Sequence, residues 1–412
     1  MSAAATGSAS WGINPVLAGK IPYWGHAQMD ALTIGVEEEF VLVDAVTRMT
    51  EPRAAAVLSR AEAPVPARGM RFQAEFAATQ LEIATGVCSD LAALRGQLRD
   101  GRVRLATAAR AEGLRLVSTG NPVLTREKIA FSKGDRYSRL AQILAGAATG
   151  YESCGCHVHI GVADRELAVG VVNHLRPWLP TLLALSVNSP FDHGRDSGYA
   201  SWRIQAQAAF PGSGVPPWFP SAAAYERRLH RLVEFDVLAD TKTTFWLARP
   251  SPWLPTVEVR VADAASTVDE AVLQAAIARA LVLTAVTELA KGTEAPPVDA
   301  QVCAAALWSA ARHGLAGPGI HPVKELQADA TALVRELLHR IRPALEEAGD
   351  LAMVRRSISR LGQSGSGADR QRWSAVHGLP SVVDMLVRQT VGTETCGGEH
   401  DGLPPQAALE GA

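Results

Sequence analysis

The chain has 412 residues, 47% of them hydrophobic, and a formal net charge of −2. That length and apolar content suffice for a large core in one large domain or two, and the near-neutral balance gives nucleic acid or an anionic membrane no basic footing. No run of about eighteen or more apolar residues marks a transmembrane span, residues 1–10 lack the basic start and apolar core of a secretory signal, and five cysteines (Cys88, Cys154, Cys156, Cys303, Cys396) are too few and odd in number for a disulfide framework, which suits a reducing cytoplasm.

Residues 1–30, rich in Ala, Ser and Gly, read as a flexible leader. Strands are predicted at 32–43, 80–84, 114–118, 154–162, 243–247 and 256–261. Helices are predicted between them: one opened by Ser89 and Asp90 that reaches about Glu112, one from Asp164 through Leu175 before Pro177 and Pro180 interrupt it, and one over 222–237 opened by Ser221. Two overlapping capping boxes, Ser266-Thr267-Val268-Asp269 and Thr267-Val268-Asp269-Glu270, then open a long helix over 269–291. Further helical patterns cover 300–313, 323–347, 350–361 and 381–388. Leu361-Gly362-Gln363-Ser364-Gly365-Ser366-Gly367 reads as a flexible connector, and the Gly- and Pro-rich tail over 391–412 as disordered. Strands dominate 31–263 and helices 264–390, and the two parts are expected to form a single domain. Such segregation indicates α+β with an antiparallel or mixed sheet rather than a doubly wound parallel one.

The chemistry-bearing residues fall on the predicted strands. In Gly35-Val36-Glu37-Glu38-Glu39-Phe40 three carboxylates interrupt an apolar run. Strand alternation points Glu37 and Glu39 one way and Glu38 the other, so two parallel carboxylates make half of a hard-cation site. A solvated edge strand is the alternative. Glu75 and Glu82 are seven positions apart and share a face only if Ala77-Ala78-Thr79 makes a bulge or turn. In Cys154-Gly155-Cys156-His157-Val158-His159 the alternation separates cysteines from histidines, which argues against one tetrahedral zinc and for core cysteines behind two functional histidines. Glu258 and Arg260 share the face opposite Val257, Val259 and Val261, as site residues or as a cross-strand salt-bridge ladder. The loop 191–203 carries Arg195, Tyr199 and Arg203, suited to a phosphate or carboxylate or to an ordinary structured loop. The chain has no phosphate loop, no H-E-x-x-H and no G-x-G-x-x-G after a strand. Acids gathered on one sheet face repel unless compensated, and two or three Mg²⁺ or Mn²⁺ ions that also carry a nucleotide's phosphates would compensate them.

With these residues in hand, the sequence resembles the glutamate–cysteine ligase type 2 family of carboxylate–amine ligases from about Leu32 to Val391. Besides the motifs above, Asn188-Ser189-Pro190-Phe191, Gly194-Arg195-Asp196-Ser197-Gly198-Tyr199-Ala200-Ser201 and Val257-Glu258-Val259-Arg260-Val261-Ala262-Asp263 carry the resemblance. It implies a glutamine-synthetase-like catalytic fold, a curved, mainly antiparallel sheet forming a funnel flanked by helices, with ATP and two or three Mg²⁺ or Mn²⁺ ions. It implies metal binding by Glu37, Glu39, Glu75, Glu82, His157 and Glu258, and a phosphate contact at His159. It implies stabilisation of the transferring phosphoryl group by Arg260, with Glu258 beside it in a catalytic role. Arg195, Tyr199 and Arg203 are expected to bind substrate. The implied reaction is ATP-dependent joining of glutamate to cysteine through an acyl phosphate, on a glutamate-like acid and a cysteine-like amine, in the cytoplasm. A homo-oligomer is left open. A guanidino-kinase-type phosphotransferase is the alternative activity, and a non-catalytic binding protein a third. Where many relatives read roughly G-T-H-P-F, this chain has Thr119-Gly120-Asn121-Pro122-Val123, which puts the native substrate in question.

Overall fold

The computed structural model describes residues 32–62 and 69–392. The expected leader, the tail from residue 393 on and Cys396 lie outside the described residues, while Val391 still belongs to the last helix.

Period-two alternation builds the central sheet. In β1 (Ile34–Asp44), Ile34 and Val36 enter one apolar core and Phe40 and Leu42 a second, so Glu38 lies on the packed face and Glu37 and Glu39 on the other. One edge of β1 pairs with β3 (Gln80–Ala84). The other pairs with β5 (Gly155–Gly161) and, further along, with β4 (Leu114–Val117), since Val41 has both Gln80 and Val117 as partners. Beyond β3 lies β2 (Arg71–Ala74); beyond β5 lie β7 (Thr256–Asp263) and the edge strand β6 (Ala248–Pro250). The seven-stranded sheet runs β6-β7-β5-β1-β3-β2, with β4 beside β1 and every pair antiparallel. Pro250 sits where an edge strand tolerates a missing donor.

Helices cover the packed face. The helix Val268–Ala290 lies against β5 and touches the helices Leu91–Ala111, Arg165–Leu175 and Ala330–Glu347. Of the two possible capping boxes, the one from Thr267 to Glu270 forms, and the Ser266 hydroxyl instead donates to Asn188 Oδ1. This helix is apolar and long enough to cross a membrane by length and composition, but Gln274 and Arg279 interrupt its apolar run and 83% of its most apolar window is buried within the protein. It is the core helix.

Four expectations need correction. The helix predicted over 323–347 begins only at Ala330, because Pro318–His321 and Leu326–Asp329 pair as a hairpin around Pro322. The connector over 361–367 is structured. Gly365 (φ 71°) ends one helix, and the Ser366–Asp369 capping box opens the next, Gly367–Ala375, seated against Asn188. Of 243–247 only Phe245–Trp246 is strand, and it pairs outside the main sheet with Ser213–Gly214. Cys154 leaves the alternation of Cys156, Val158 and Ile160: it precedes β5 and packs with Val41, Val43 and Val117. The four described cysteines are buried and outside any disulfide, as a core role requires.

Candidate active site

The unpacked face of the sheet lines a cavity of about 1030 Å³. Strand register sets its floor. Glu37 stands opposite His157, His159 opposite Glu258, Glu39 opposite Glu82, and Gln73 opposite Glu82. Among the described residues, three groups hold ligand atoms within 4.8 Å of one another: Glu37, Glu82 and His157; Glu37, His159 and Glu258; Glu39, Glu75 and Glu82. Glu75 therefore reaches the others. Residues 75–80 form the reversal of a hairpin, and cross-strand partners share a face whatever the parity of their spacing.

His157 bridges two acids, with Nδ1 3.5 Å from Glu37 Oε2 and Nε2 3.8 Å from Glu39 Oε1. His159 is oriented by Thr256, 2.9 Å from Nδ1 to Oγ1. Its Nε2 lies 3.4 Å from Glu37 Oε1 but is buried without an aligned hydrogen bond. Glu258 is held by Arg249 (Nε to Oε2, 2.7 Å) from β6 and by Arg260 from its own strand. Arg260 Nε is also buried without a partner.

These neighbours split the acids into two kinds. Burial pushes every carboxyl up. At Glu37 the neighbouring imidazoles of His157 and His159 outweigh it, and at Glu258 the charges of Arg249 and Arg260 do, so both are held below the usual carboxylate range. At Glu39 burial and the Glu75 charge win and push it up to about 8, although the charges of Arg203 and Arg260 and the Gly155 N–H, which donates to its Oε2 at 2.6 Å, pull the other way. Burial and neighbouring carboxylates, Glu37 first, raise Glu75 and Glu82. Burial and Arg260 bring His157 down to about 4, whereas at His159 the pull of Glu37 and Glu258 wins over burial and raises it. The triad of Glu39, Glu75 and Glu82 is a neutralisation problem that a hard divalent cation solves, and the oxygen and imidazole donors suit Mg²⁺ or Mn²⁺.

Glu38, on the packed face, has a partner invisible in the sequence. Fully buried Arg102 grips it with Nε and Nη2 at 3.0 and 2.5 Å, and donates also to the carbonyls of Ala265, Ser266 and Thr390. The second arginine that sequence reasoning missed is Arg249. Its signal was faint: a short apolar run before Pro250 and Pro252, one turn away from Glu258.

The three residues expected to bind substrate part company. Arg203 lines the cavity, with its Nη groups donating to the carbonyls of Val261 (3.2 Å) and Arg260 (2.9 Å) at the β7 bulge. Arg195 and Tyr199 do not line it. Arg195 is exposed in a two-residue ladder, and Tyr199 packs edge-on against Trp202 and Trp308 and accepts from Trp308 Nε1. Loop position alone misled here. Asn121 also lies behind the cavity wall, donating to Phe191 O and accepting from the hydroxyl of Ser153, which lines the cavity.

The family described as Glutamate-cysteine ligase family 2 (GCS2) matches residues 33–389. The chain is 51% identical over 361 residues to a protein of Saccharopolyspora erythraea named "Putative glutamate--cysteine ligase 2-2", covering 87% of this chain and 92% of that one. It is 42% identical over 385 residues to "Putative glutamate--cysteine ligase 2-1" of Nocardia farcinica, covering 90% and 98%. Among solved structures it is similar to the glutamate–cysteine ligase of Francisella tularensis in complex with AMP, with a TM-score of 0.63 at 12% identity over 88% of this chain and 89% of that one. At that identity the likeness speaks for the fold alone, and the fold is the α+β ligase architecture expected from the sequence.

Proposed function

The chain belongs to the glutamate–cysteine ligase family 2, and from that membership we propose that its cavity joins a glutamate-like acid to a cysteine-like amine through an acyl phosphate made from ATP. It is an ATP-dependent carbon–nitrogen ligase of the glutamate–cysteine ligase type. One observation supports the site most strongly: His159 Nε2 and Arg260 Nε are buried without hydrogen-bond partners beside acids that need cations. Orphaned buried polar atoms of this kind call for a ligand, and an ATP triphosphate with its divalent ions supplies both needs.

Glu39, Glu75 and Glu82 would hold one Mg²⁺ or Mn²⁺; Glu37, His157 and Glu82, and Glu37, His159 and Glu258, offer the places for one or two more. Bound there, such ions supply positive charge for the phosphates and Lewis acidity for the group in transfer. Arg249 keeps Glu258 ionised, and Glu258 fixes Arg260, whose unpaired Nε would be available to the transferring phosphoryl group. His159, turned by Thr256, would offer its unpaired Nε2 to the same phosphates. Arg203, whose positive charge acts on Glu39 at the cavity wall, would suit the carboxylate of the acid substrate. The carboxylate of the acid attacks the γ-phosphorus and ADP leaves; the amine then displaces phosphate as the C–N bond forms. The cytoplasm supplies ATP, the ions and reduced thiol.

ADP and phosphate release measured over a matrix of acids and amines with Mg²⁺ tests this reading. A ligase releases both products in quantity only when acid and amine are present together. A phosphotransferase of the guanidino kinase type, which the family membership does not favour, would leave a stable phosphorylated acceptor and no free phosphate.

A further inference from the structure

One buried carboxyl takes no part in that chemistry. Glu152 is fully buried just before β5 and forms no ion pair among the described residues. Its oxygens accept from Thr79 Oγ1 at 2.6 Å and, more loosely, from Thr50 Oγ1 at 3.4 Å. Burial pushes its carboxyl up, towards the neutral form. A buried acid is costly unless hydrogen bonds meet it, and here the hydroxyls of Thr79 and Thr50 do.

Thr79 lies in the turn that joins β2 to β3, between Glu75 and Glu82. Glu39 and Glu82 are locked by their paired strands. Glu75 belongs to no strand, and its backbone N reaches Gln80 O only at 3.5 Å. Burial and neighbouring carboxylate charges, Glu37 first, act on both Glu75 and Glu82, and Glu75 is the one that no strand holds. Backbone bonds from Ala78 N to Ala130 O, Ala54 N to Ala78 O and Ser132 N to Phe76 O hold the first half of the turn, and its second half is attached to the segment before β5. Thr79 is tied to Glu152, Gln80 Nε2 donates to Ser153 O at 2.8 Å, and Gln80 Oε1 accepts from Ala77 N at 3.2 Å. Thr79 O also accepts from Leu42 N of β1 at 2.8 Å.

We propose that Glu152, acting through the Thr79 hydroxyl, is a positioning residue for Glu75: the pair pins the β2–β3 turn so that Glu75 completes the cluster with Glu39 and Glu82. This rests on the reading that the cluster holds a divalent ion.

The test is Mn²⁺ binding to the full-length, nucleotide-free protein, followed by titration calorimetry and by the electron paramagnetic resonance of free Mn²⁺. Thr79→Val removes the hydroxyl at constant shape, Thr79→Ser restores it, Glu152→Ala removes the acceptor, and Glu152→Gln keeps one acceptor oxygen. Supporting parts around a metal site change its affinity by about 10- to 100-fold. One class of Mn²⁺ sites is expected to weaken by that factor in Thr79→Val and Glu152→Ala, the others staying unchanged, while Thr79→Ser and Glu152→Gln bind as the parent does. If Glu152→Ala does not fold, the Thr79 pair decides. Parent-like Mn²⁺ binding by Thr79→Val, even with a lowered thermal midpoint, overturns the proposal, because a merely structural bond would change only stability. Equal weakening in Thr79→Val and Thr79→Ser overturns it too. A parent protein that binds no Mn²⁺ overturns instead the reading of the cluster as an ion site, and the two failures are told apart by the parent's own titration.

Discussion

The two faces of β1 carry adjacent carboxylates with opposite fates. Glu38, on the packed face, meets one arginine in a two-pronged grip, and every remaining donor of Arg102 that the structure pairs goes to a backbone carbonyl. Charge is balanced, polar groups are satisfied and solvent is absent; the pair ties β1 to the turn at 265–266 and to the last helix. On the other face Glu37 and Glu39 join acids, histidines and arginines that do not balance group by group and that leave donors unpaired. Buried charge that closes on itself is scaffold. Buried charge left open marks a site.

The largest expected effect breaks the closed side. Arg102→Ala leaves Glu38 buried and unpaired, and such a loss costs about 3–5 kcal/mol, so urea unfolding should show a large fall in midpoint. The double change Arg102→Met with Glu38→Leu should recover most of it. The next breaks the open side without touching the fold. Arg260→Ala leaves Glu258 still held by Arg249, so the thermal midpoint should stay near the parent value while kcat falls by about 100- to 1000-fold, the range for removing one donor to developing charge.

A smaller effect sharpens the contrast through pH. Glu39 is raised to about 8 from 4.5, so its contribution to stability is fully present below about pH 4.5 and is lost as pH rises through about 8. Glu75, Glu82 and His159, also raised, act in the same direction. Glu37 and Glu258, held low, and His157, brought down to about 4, keep one charge state above neutrality. The thermal midpoint of ion-free protein should therefore fall between about pH 5 and about pH 8, and saturating Mg²⁺ should flatten the fall. The smallest effect belongs to the displaced loop. Arg195→Ala changes an exposed residue away from the cavity and should alter KM and kcat by no more than about twofold, in line with surface substitutions generally.

What was legible in the sequence was what strand period controls. Alternation alone separated Glu38 from Glu37 and Glu39, set His157 and His159 together and gave Glu258 and Arg260 one face, because each face of these strands meets a single environment. Capping residues likewise placed the starts at Asp90, Asp164, Ser221 and Thr267. Partners brought from far along the chain were not legible. Arg102 is sixty-four residues from Glu38, and Arg102, in the middle of a helix, gives no hint of which strand it meets. Composition misled where tertiary packing overrides it: a Gly- and Ser-rich stretch that looks like a linker is a tight pair of helix caps, and in the loop over 191–203 Tyr199 packs on a neighbouring helix while Arg203 lines the cavity.

The central claim is that the open face of β1 binds nucleotide through divalent ions held by Glu37 and its neighbours. ADP binding to Glu37→Gln and to the parent, titrated calorimetrically with and without Mn²⁺, tests it most directly, since Glu37 takes part in two of the three ligand groups. The parent should bind ADP far more tightly with Mn²⁺ than without, and Glu37→Gln should lose most of that gain while keeping its thermal midpoint. A variant whose ADP affinity still rises with Mn²⁺ as the parent's does would contradict the account.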